Sequence, residues 1–358
     1  MPDLLYTSDF QRGTYRLIEL GSKELEDCLT SGQELVIKGL PDDQAVLCTP
    51  DKTFSVVQVN TSNSMLLTEP QFDGNLLVMD DLTSTIELIP SQARLQRIDS
   101  LLESTLYAGP DADEGLLAGK TLYTRSDLEQ MIQASAAELE QGLKERHVFE
   151  LNGYCRMLDP SYNIVLFDAL ITNAVIHNVN ATAMQTDDAM ACMRLYQRDP
   201  DPVLTACLHS TCDRVQDGWS YNTKRAHRLA GQVVLASSRG REWLRHDFES
   251  AWRALVPNDI PFEADWDTLA GLYVDLEPRT LGAKVEHRLT YFPASELPLD
   301  PAQRFAKLFE RKDKWTPEQM KPFLDAISPN NKAAEALLLK FTRSQNLKGQ
   351  RFLGSRIK

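Results

Sequence analysis

Histidine and cysteine are the residues of this chain best suited to chemistry, and their spacing argues against it. His147, His177, His209, His227, His246 and His287 are scattered singly. No His-Glu-x-x-His pair holds two of them on one helix face, and no Gly-x-Ser-x-Gly elbow presents a nucleophile. Among Cys28, Cys48, Cys155, Cys192, Cys207 and Cys212, only Cys207-Leu208-His209-Ser210-Thr211-Cys212 forms a cluster. A zinc site needs a second ligand pair at short spacing, and none accompanies it. Six cysteines in 358 residues read as reduced, partly buried thiols instead of a disulfide framework. Gly115-Leu116-Leu117-Ala118-Gly119-Lys120-Thr121 resembles a phosphate-binding loop, but Glu114 stands where that loop needs its first glycine. A carboxylate there repels the phosphates the loop would cradle, and Pro110–Glu114 reads as a surface loop. The pairs Asp80-Asp81 and Asp187-Asp188 lie in acidic, turn-like stretches and read as solvated. The residues therefore predict no catalytic site, no cofactor and no metal.

Charge is distributed more tellingly than it is summed. Residues 301–358 carry 13 Lys and Arg against 5 Asp and Glu, a net of +8, while the whole chain is at −13 and residues 1–300 at −21. A basic end on an acidic body predicts contact with a polyanion at one end and with proteins elsewhere. A solvated basic tail without a partner is the alternative. No apolar run approaches the ~20 residues of a membrane span, and the start, Met1-Pro2-Asp3-Leu4-Leu5, has no secretory pattern. A nuclear or cytosolic protein is expected.

The elements that would position these charges fall into four stretches. Residues 1–90 read as β, with short apolar runs at 15–20, 34–37, 45–48, 54–59, 65–67, 76–79 and 85–89 separated by turn residues. This predicts a small barrel or sandwich segment, acidic (5 basic against 15 acidic residues) and short enough to pair with strands from a partner chain. Residues 91–185 read as a winged helix. Leu95, Ile98, Leu101 and Leu102 have helical spacing, and Ser126-x-x-Glu129 and Ser135-x-x-Glu138 are capping-box patterns. A hairpin is expected from Val148–Leu151, Gly153–Leu158 and, past a turn at Asp159-Pro160-Ser161, Ile164–Phe167. Residues 186–297 read as an elaborated second copy, with Leu244, Phe248, Trp252 and Leu255 on one face and a strand candidate at Lys284–Phe292. Residues 298–358 read as a basic third copy: a helix at Phe305, Leu308 and Phe309, a second opened by Thr316-Pro317-Glu318-Gln319, a third from Lys332 to about Ser344, and a wing at Leu347–Leu353. The predicted class is α+β and multidomain.

The third C-terminal helix carries the functional expectation. At ~100° per residue, Ala334, Leu337, Leu338 and Phe341 share one arc, with Lys332, Lys340 and Arg343 roughly opposite. Lys348, Arg351 and Arg356 extend the basic surface through the wing and tail. Such a surface suits phosphates better than base edges, so DNA contact without sequence preference is expected. An ordinary solvated face is the alternative. A second cluster, Lys224, Arg225, Arg228, Arg239, Arg241 and Arg245, is diluted by Glu242, Asp247 and Glu249 and supports DNA contact only weakly. A sequence-specific tandem winged-helix transcription regulator is the competing function, but the first unit's third helix offers Glu140, Lys144 and Glu145, which suit a duplex poorly.

Several stretches resemble the sister chromatid cohesion protein Dcc family: Arg304–Phe309, Lys314-Trp315-Thr316-x-Glu318 with Pro322, Ala336–Thr342 and Asn346–Arg356. Asp127-Leu128, Ile132–Ser135 with Glu138-Leu139, Gly153–Arg156 and Thr61–Leu67 continue the likeness. Cys155 departs from an expected aromatic residue, and 110–119 looks like an insertion. The resemblance implies a non-catalytic subunit of an alternative (chromosome transmission fidelity) replication factor C clamp loader. Its N-terminal barrel would be completed by the C-terminal tail of the large ATPase subunit and by a small third subunit. Three winged helices would tether the loader to DNA and to the catalytic region of DNA polymerase epsilon, assisting PCNA loading and cohesion in the nucleus.

Overall fold

The computed structural model describes residues 2–60, 62–194, 199–216, 218–281, 284–328, 330–347 and 349–356. The chain separates into two compact units, one formed by Met1–Asp99 with Arg125–Lys144, the other by Ser100–Thr124 with Glu145–Lys358.

In the first unit the strands are β1 (Leu4–Leu5), β2 (Leu17–Glu19), β3 (Val36–Lys38), β4 (Val46–Cys48), β5 (Thr53–Asn60), β6 (Leu66–Pro70), β7 (Leu76–Asp81) and β8 (Ser84–Ser91). A helix, α1 (Lys23–Thr30), follows β2. Five strands form one sheet in the order β2-β8-β5-β4-β3, and three form another in the order β1-β7-β6. Both are antiparallel except where β2 meets β8 and β1 meets β7. Leu25, Leu47, Phe54 and Leu88 make the core between α1 and the larger sheet. All seven stretches read as strands hold one. The two-residue β1 and the acidic α1, which buries only Leu25 and Cys28, have too little apolar pattern to be read from sequence. The N-terminal segment is tied down by the fully buried carboxylate of Asp80, which accepts from the backbone N–H of Gly13 (2.8 Å) and Tyr15 (2.7 Å).

Four helices follow: α2 (Gln96–Leu102), α3 (Pro110–Leu116), α4 (Arg125–Met131) and α5 (Ala136–Glu145). The turn between α4 and α5 is buried in the first unit. Gln133, 1% exposed, accepts from Arg94 (2.6 Å) and donates to the Gln44 carbonyl (2.7 Å). The Ser135–Glu138 capping box forms, with Thr53 Oγ1 donating to the same Glu138 carboxylate at 2.6 Å. The Ser126–Glu129 box does not form: α4 starts one residue earlier, so Ser126 lies inside it. Residues 110–114, read as a loop, open α3, with Pro110 at its first position.

In the second unit, β9 (Phe149–Leu151) and β10 (Tyr154–Arg156) form a hairpin. Its turn residues, Asn152 and Gly153, both have positive φ (53° and 84°), the type I′ pattern. Ile164–Phe167 is not a strand of that hairpin but part of α6 (Pro160–Ile176), capped by the Asp159 carboxylate. An apolar run of four fits strand or buried helix equally, and the cap with Pro at the first position favours the helix. Next come β11 (Met184–Gln185), α7 (Thr186–Arg194), α8 (Asp201–Thr211), β12 (Cys212–Val215), β13 (Gly218–Tyr221), α9 (Thr223–Ser237), β14 (Glu242–Leu244) and α10 (Arg245–Leu255). They are followed by β15 (Tyr273–Asp275), β16 (Arg279–Leu281), β17 (Lys284–Glu286) and β18 (Arg288–Tyr291). The chain ends with α11 (Pro301–Arg311), α12 (Pro317–Met320), α13 (Asn331–Phe341), β19 (Thr342–Leu347) and β20 (Gln350–Ser355). The sheets are small: β11-β13-β12, β14-β18-β15, and the pairs β16-β17 and β19-β20. One core gathers Phe167, Leu170, Trp219, Phe248 and Trp252. A second, around Phe305, Leu308, Trp315, Phe323, Phe341 and Leu353, supports the C-terminal elements.

Candidate nucleic-acid and partner interfaces

The C-terminal cations stand on a frame that the sequence specifies locally. Asp300 caps α11 by accepting from Gln303 N–H at 2.8 Å, and Asn330 caps α13 by accepting from Ala333 N–H at 2.9 Å. Thr316 and Gln319 close a reciprocal capping box on α12. Phe305 of α11 and Phe341 at the end of α13 stack with centroids 4.9 Å apart. Trp315, fully buried, exchanges both backbone hydrogen bonds with Leu353 of β20, at 3.0 and 2.7 Å. The hairpin is thereby stitched to the helices. Leu337 and Leu338 pack against this core while Lys332 and Lys340 are exposed, as the apolar arc predicts.

Arg343 departs from that arc. The helix ends at Phe341, so Arg343 lies on β19, paired with Gly354 of β20. The end has a local cause: the Thr342 hydroxyl donates back to the Leu338 carbonyl at 2.7 Å as its backbone turns extended. Arg351 pairs with Asn346 and donates through Nε to Ser344 Oγ at 2.8 Å. Strand alternation puts Arg343 and Arg351 on opposite faces of the hairpin, with Arg351 on the side of buried Leu353 but beyond the core at the tip. Arg356 donates to the Leu339 carbonyl at 2.8 Å, occupying one arm of its guanidinium at the helix end. Lys340 Nζ sits 5.2 Å from the Phe341 ring centroid. Lys340, Arg343 and Arg356 therefore gather around the C-terminal end of α13, where the helix dipole favours cations. Lys332 stands eight residues away, about 12 Å along the axis. Lys348 lies outside the described residues.

Not every positive charge of this region is available to a ligand. Arg304 is fully buried and donates to the carbonyls of Phe323, Leu297 (3.0 Å), Pro298 (3.0 Å) and Ala294 (2.9 Å). Burial brings its guanidinium down to about 10. Lys307 is paired with Glu310 at 2.8 Å. Past Asn331, the exposed positions of α13 are Lys332, Glu335, Ala336, Leu339 and Lys340. That set can meet phosphates through Lys332 and Lys340, and it holds no Asn, Gln or Arg to read a base edge.

The middle cluster proves to be mostly internal bookkeeping of charge. Arg225 pairs with Asp213 (3.2 Å) and Arg239 with Glu296 (2.5 Å), and Arg228 donates to the Thr268 and Ala270 carbonyls. Arg241 and Arg245 behave differently, stacking on Trp243 at 4.0 Å and on Trp266 at 4.1 Å. Arg-x-Trp in an extended strand is a signal the sequence carried and a reading by charge alone passes over. Lys120 of the loop-like Gly-rich stretch donates to the Ser104 carbonyl, with α3 covering the residues before it. All six cysteines are buried, and among the described residues no group of three His, Cys, Asp or Glu is placed to hold a metal.

The first unit offers a second surface. Its larger sheet ends at β2 on one side and β3 on the other, and both carry exposed apolar residues: Leu17 and Ile18, Val36 and Ile37. Leu4, Leu5, Met65 and Leu67 are exposed on and beside the smaller sheet. Apolar side chains beside unpaired strand edges are what strand addition uses.

Residues 15–324 match the family model described as sister chromatid cohesion protein Dcc1. The chain is similar to sister chromatid cohesion protein DCC1 of Xenopus tropicalis, 27% identical over 376 aligned positions that cover 99% of this chain and 92% of that protein. The Homo sapiens protein of the same name is 26% identical, covering 96% and 89%. That of Saccharomyces cerevisiae is 21% identical, covering 93% and 94%. With most of its length matched by the family and by relatives from yeast to vertebrates, the chain belongs to the sister chromatid cohesion protein Dcc1 family.

Proposed function

We propose that this chain is a non-catalytic subunit of an alternative replication factor C clamp loader, acting in the nucleus to support PCNA loading and sister chromatid cohesion. In this reading its C-terminal unit holds DNA without sequence preference and its N-terminal sheets join partner subunits. The observation that carries the DNA arm is the gathering of Lys340, Arg343 and Arg356 around one helix end, with Arg351 on the adjoining hairpin and a rigid apolar core beneath. Three helices followed by a β-hairpin are the order of a winged helix, and we read α11, α12, α13 and β19-β20 that way.

The acidic N-terminal sheets, with apolar residues on and beside their strand edges, support completion by strands of the large ATPase subunit and the small third subunit. The acidity of residues 91–300 supports protein contacts there, among them the catalytic region of DNA polymerase epsilon. Family membership supports the cohesion role.

The test is charge reversal in the full chain. Lys340→Glu, Arg343→Glu and Arg351→Glu together should weaken binding to many duplex sequences about equally and reduce the salt dependence. Unchanged affinity in low salt would sink the DNA site, and a sharp consensus from binding-site selection would favour the transcription regulator instead. Co-purification with the two proposed subunits tests the N-terminal arm.

A further inference from the structure

We propose that β14 is a docking edge for an extended, anionic segment of a partner protein, read by Arg241 and Arg245 on either side of Trp243. The argument starts from what these two arginines lack. Their neighbours Arg225, Arg239 and Arg288 each hold a carboxylate, but no ion pair is made by Arg241 or Arg245 among the described residues. Each instead lies on an indole, Arg241 on Trp243 and Arg245 on Trp266. Stacking engages the face of a guanidinium and leaves its N–H edge free for bidentate binding of a carboxylate or phosphate.

The platforms are rigid. Trp243 Nε1 donates to Ser238 Oγ at 2.7 Å, and that hydroxyl donates to the Val234 carbonyl at 2.8 Å. Trp266 packs 5.7 Å from Phe248, 5.8 Å from Trp252 and 5.7 Å from Tyr273. Side-chain entropy that an exposed arginine would lose on binding is therefore already spent.

The backbone identifies the kind of occupant. Among the described residues β14 is an edge of its sheet, paired only with β18. Arg245 N–H bonds the His287 carbonyl, so by antiparallel alternation Trp243 and Leu289 form the next bonded pair. The N–H and C=O groups of Glu242 and Leu244 then point away from the sheet. A peptide can bond that edge and a nucleic acid cannot. Exposed Asp247 beside the pair would also repel a continuous polyanion, whereas it tolerates isolated anions; Glu242 is already paired with Arg288. Arg241 and Arg245 flank the three-residue strand, whose middle residue is Trp243, and about 13 Å of extended chain separates them at most. The matching segment has an Asp, Glu or phosphoserine at positions i and i+4 and an apolar residue at i+2.

The test uses the full chain and a labelled peptide containing Asp-Thr-Val-Thr-Asp, read by fluorescence anisotropy. That peptide and its bis-phosphoserine counterpart should bind, and the Asn-Thr-Val-Thr-Asn control should not. Arg241→Gln and Arg245→Gln should each weaken binding about tenfold, the size of one charge-assisted pair at a half-exposed site. Melting curves establish that both variants fold. The proposal is overturned if no binding appears at millimolar peptide, or if the Asn control binds as well. It is equally overturned if the double variant binds the peptide unchanged, or if that variant loses a single-stranded oligonucleotide instead. None of these results bears on the C-terminal DNA site, which the double variant leaves intact.

Discussion

Phe305 and Phe341 stack nearly parallel, at 18°, and so bind the first helix of the C-terminal group to the last turn of its third. The position of Lys340 and Arg343 depends on that contact, because both flank Phe341. Phe341→Ala removes a ring that is 7% exposed. It is expected to cost about 3–5 kcal/mol of stability, the usual range for emptying an aromatic site. Urea denaturation of the variant measures it, and a loss under ~1 kcal/mol would mean that the stack is not what holds α13.

Arg304 separates structural charge from ligand-binding charge. Its planar fork reaches four backbone carbonyls, which a single ammonium group cannot do. Arg304→Lys keeps the formal charge but leaves buried acceptors unpaired, for an expected loss of about 2–4 kcal/mol. DNA affinity and its salt dependence, measured where the variant is folded, should stay at wild-type values. A fall in salt dependence would place Arg304 among the ligand contacts.

The legibility of the molecule follows the range of the forces involved. The strands of the first unit could be read because turn residues bracket short apolar runs, and the inner face of α13 because Leu337, Leu338 and Phe341 recur at helical spacing. Ile164–Phe167 reads as a strand but lies in α6, because four apolar residues carry no period, and Arg343 reads as helical but lies on β19, because Thr342 turns the backbone from helix to strand. That α4 and α5 pack with the N-terminal sheets depends on Gln133 reaching Gln44 and on Thr53 reaching Glu138, bonds across more than 80 residues that no local pattern encodes. The stack of Arg245 on Trp266 is equally remote, whereas Arg241 on Trp243 was within reach of strand alternation.

Asp80 gives the first unit a defined acid sensitivity. Backbone N–H groups of Tyr15 and Gly13, aided by Asp81, hold its carboxyl below the usual carboxylate range. A depressed folded value means that the stabilisation is complete above the unfolded value of about 4. It is lost as pH falls through the lower folded value. Asp80→Asn should therefore be less stable than wild type at pH 7, with the gap closing as the pH is lowered below 4. Denaturation midpoints across that range decide it; a gap that stays constant would mean that Asp80 is not the titrating group.

Arg156 and Asp113 set a limit on how the chain can be divided. Arg156, 2% exposed, pairs with Asp113 at 2.6 Å and also donates to the Thr105 carbonyl. Nearby, Tyr107 and Tyr162 each donate a hydroxyl at 2.8 Å to the buried carboxylate of Asp199. Thr105, Tyr107 and Asp113 belong to Ser100–Thr124, the stretch that joins the second unit before the chain returns to the first. A fragment beginning at 145 keeps Arg156, Tyr162 and Asp199 but loses three of their partners. Removing one side of a buried ion pair costs about 3–5 kcal/mol, and the orphaned Asp199 oxygen adds to that. Residues 145–358 should melt early and without cooperativity, while 100–358 melts cooperatively. Asp113→Ala in the full chain should show part of the same loss. Equal melting of the two fragments would mean that the second unit folds without Ser100–Thr124.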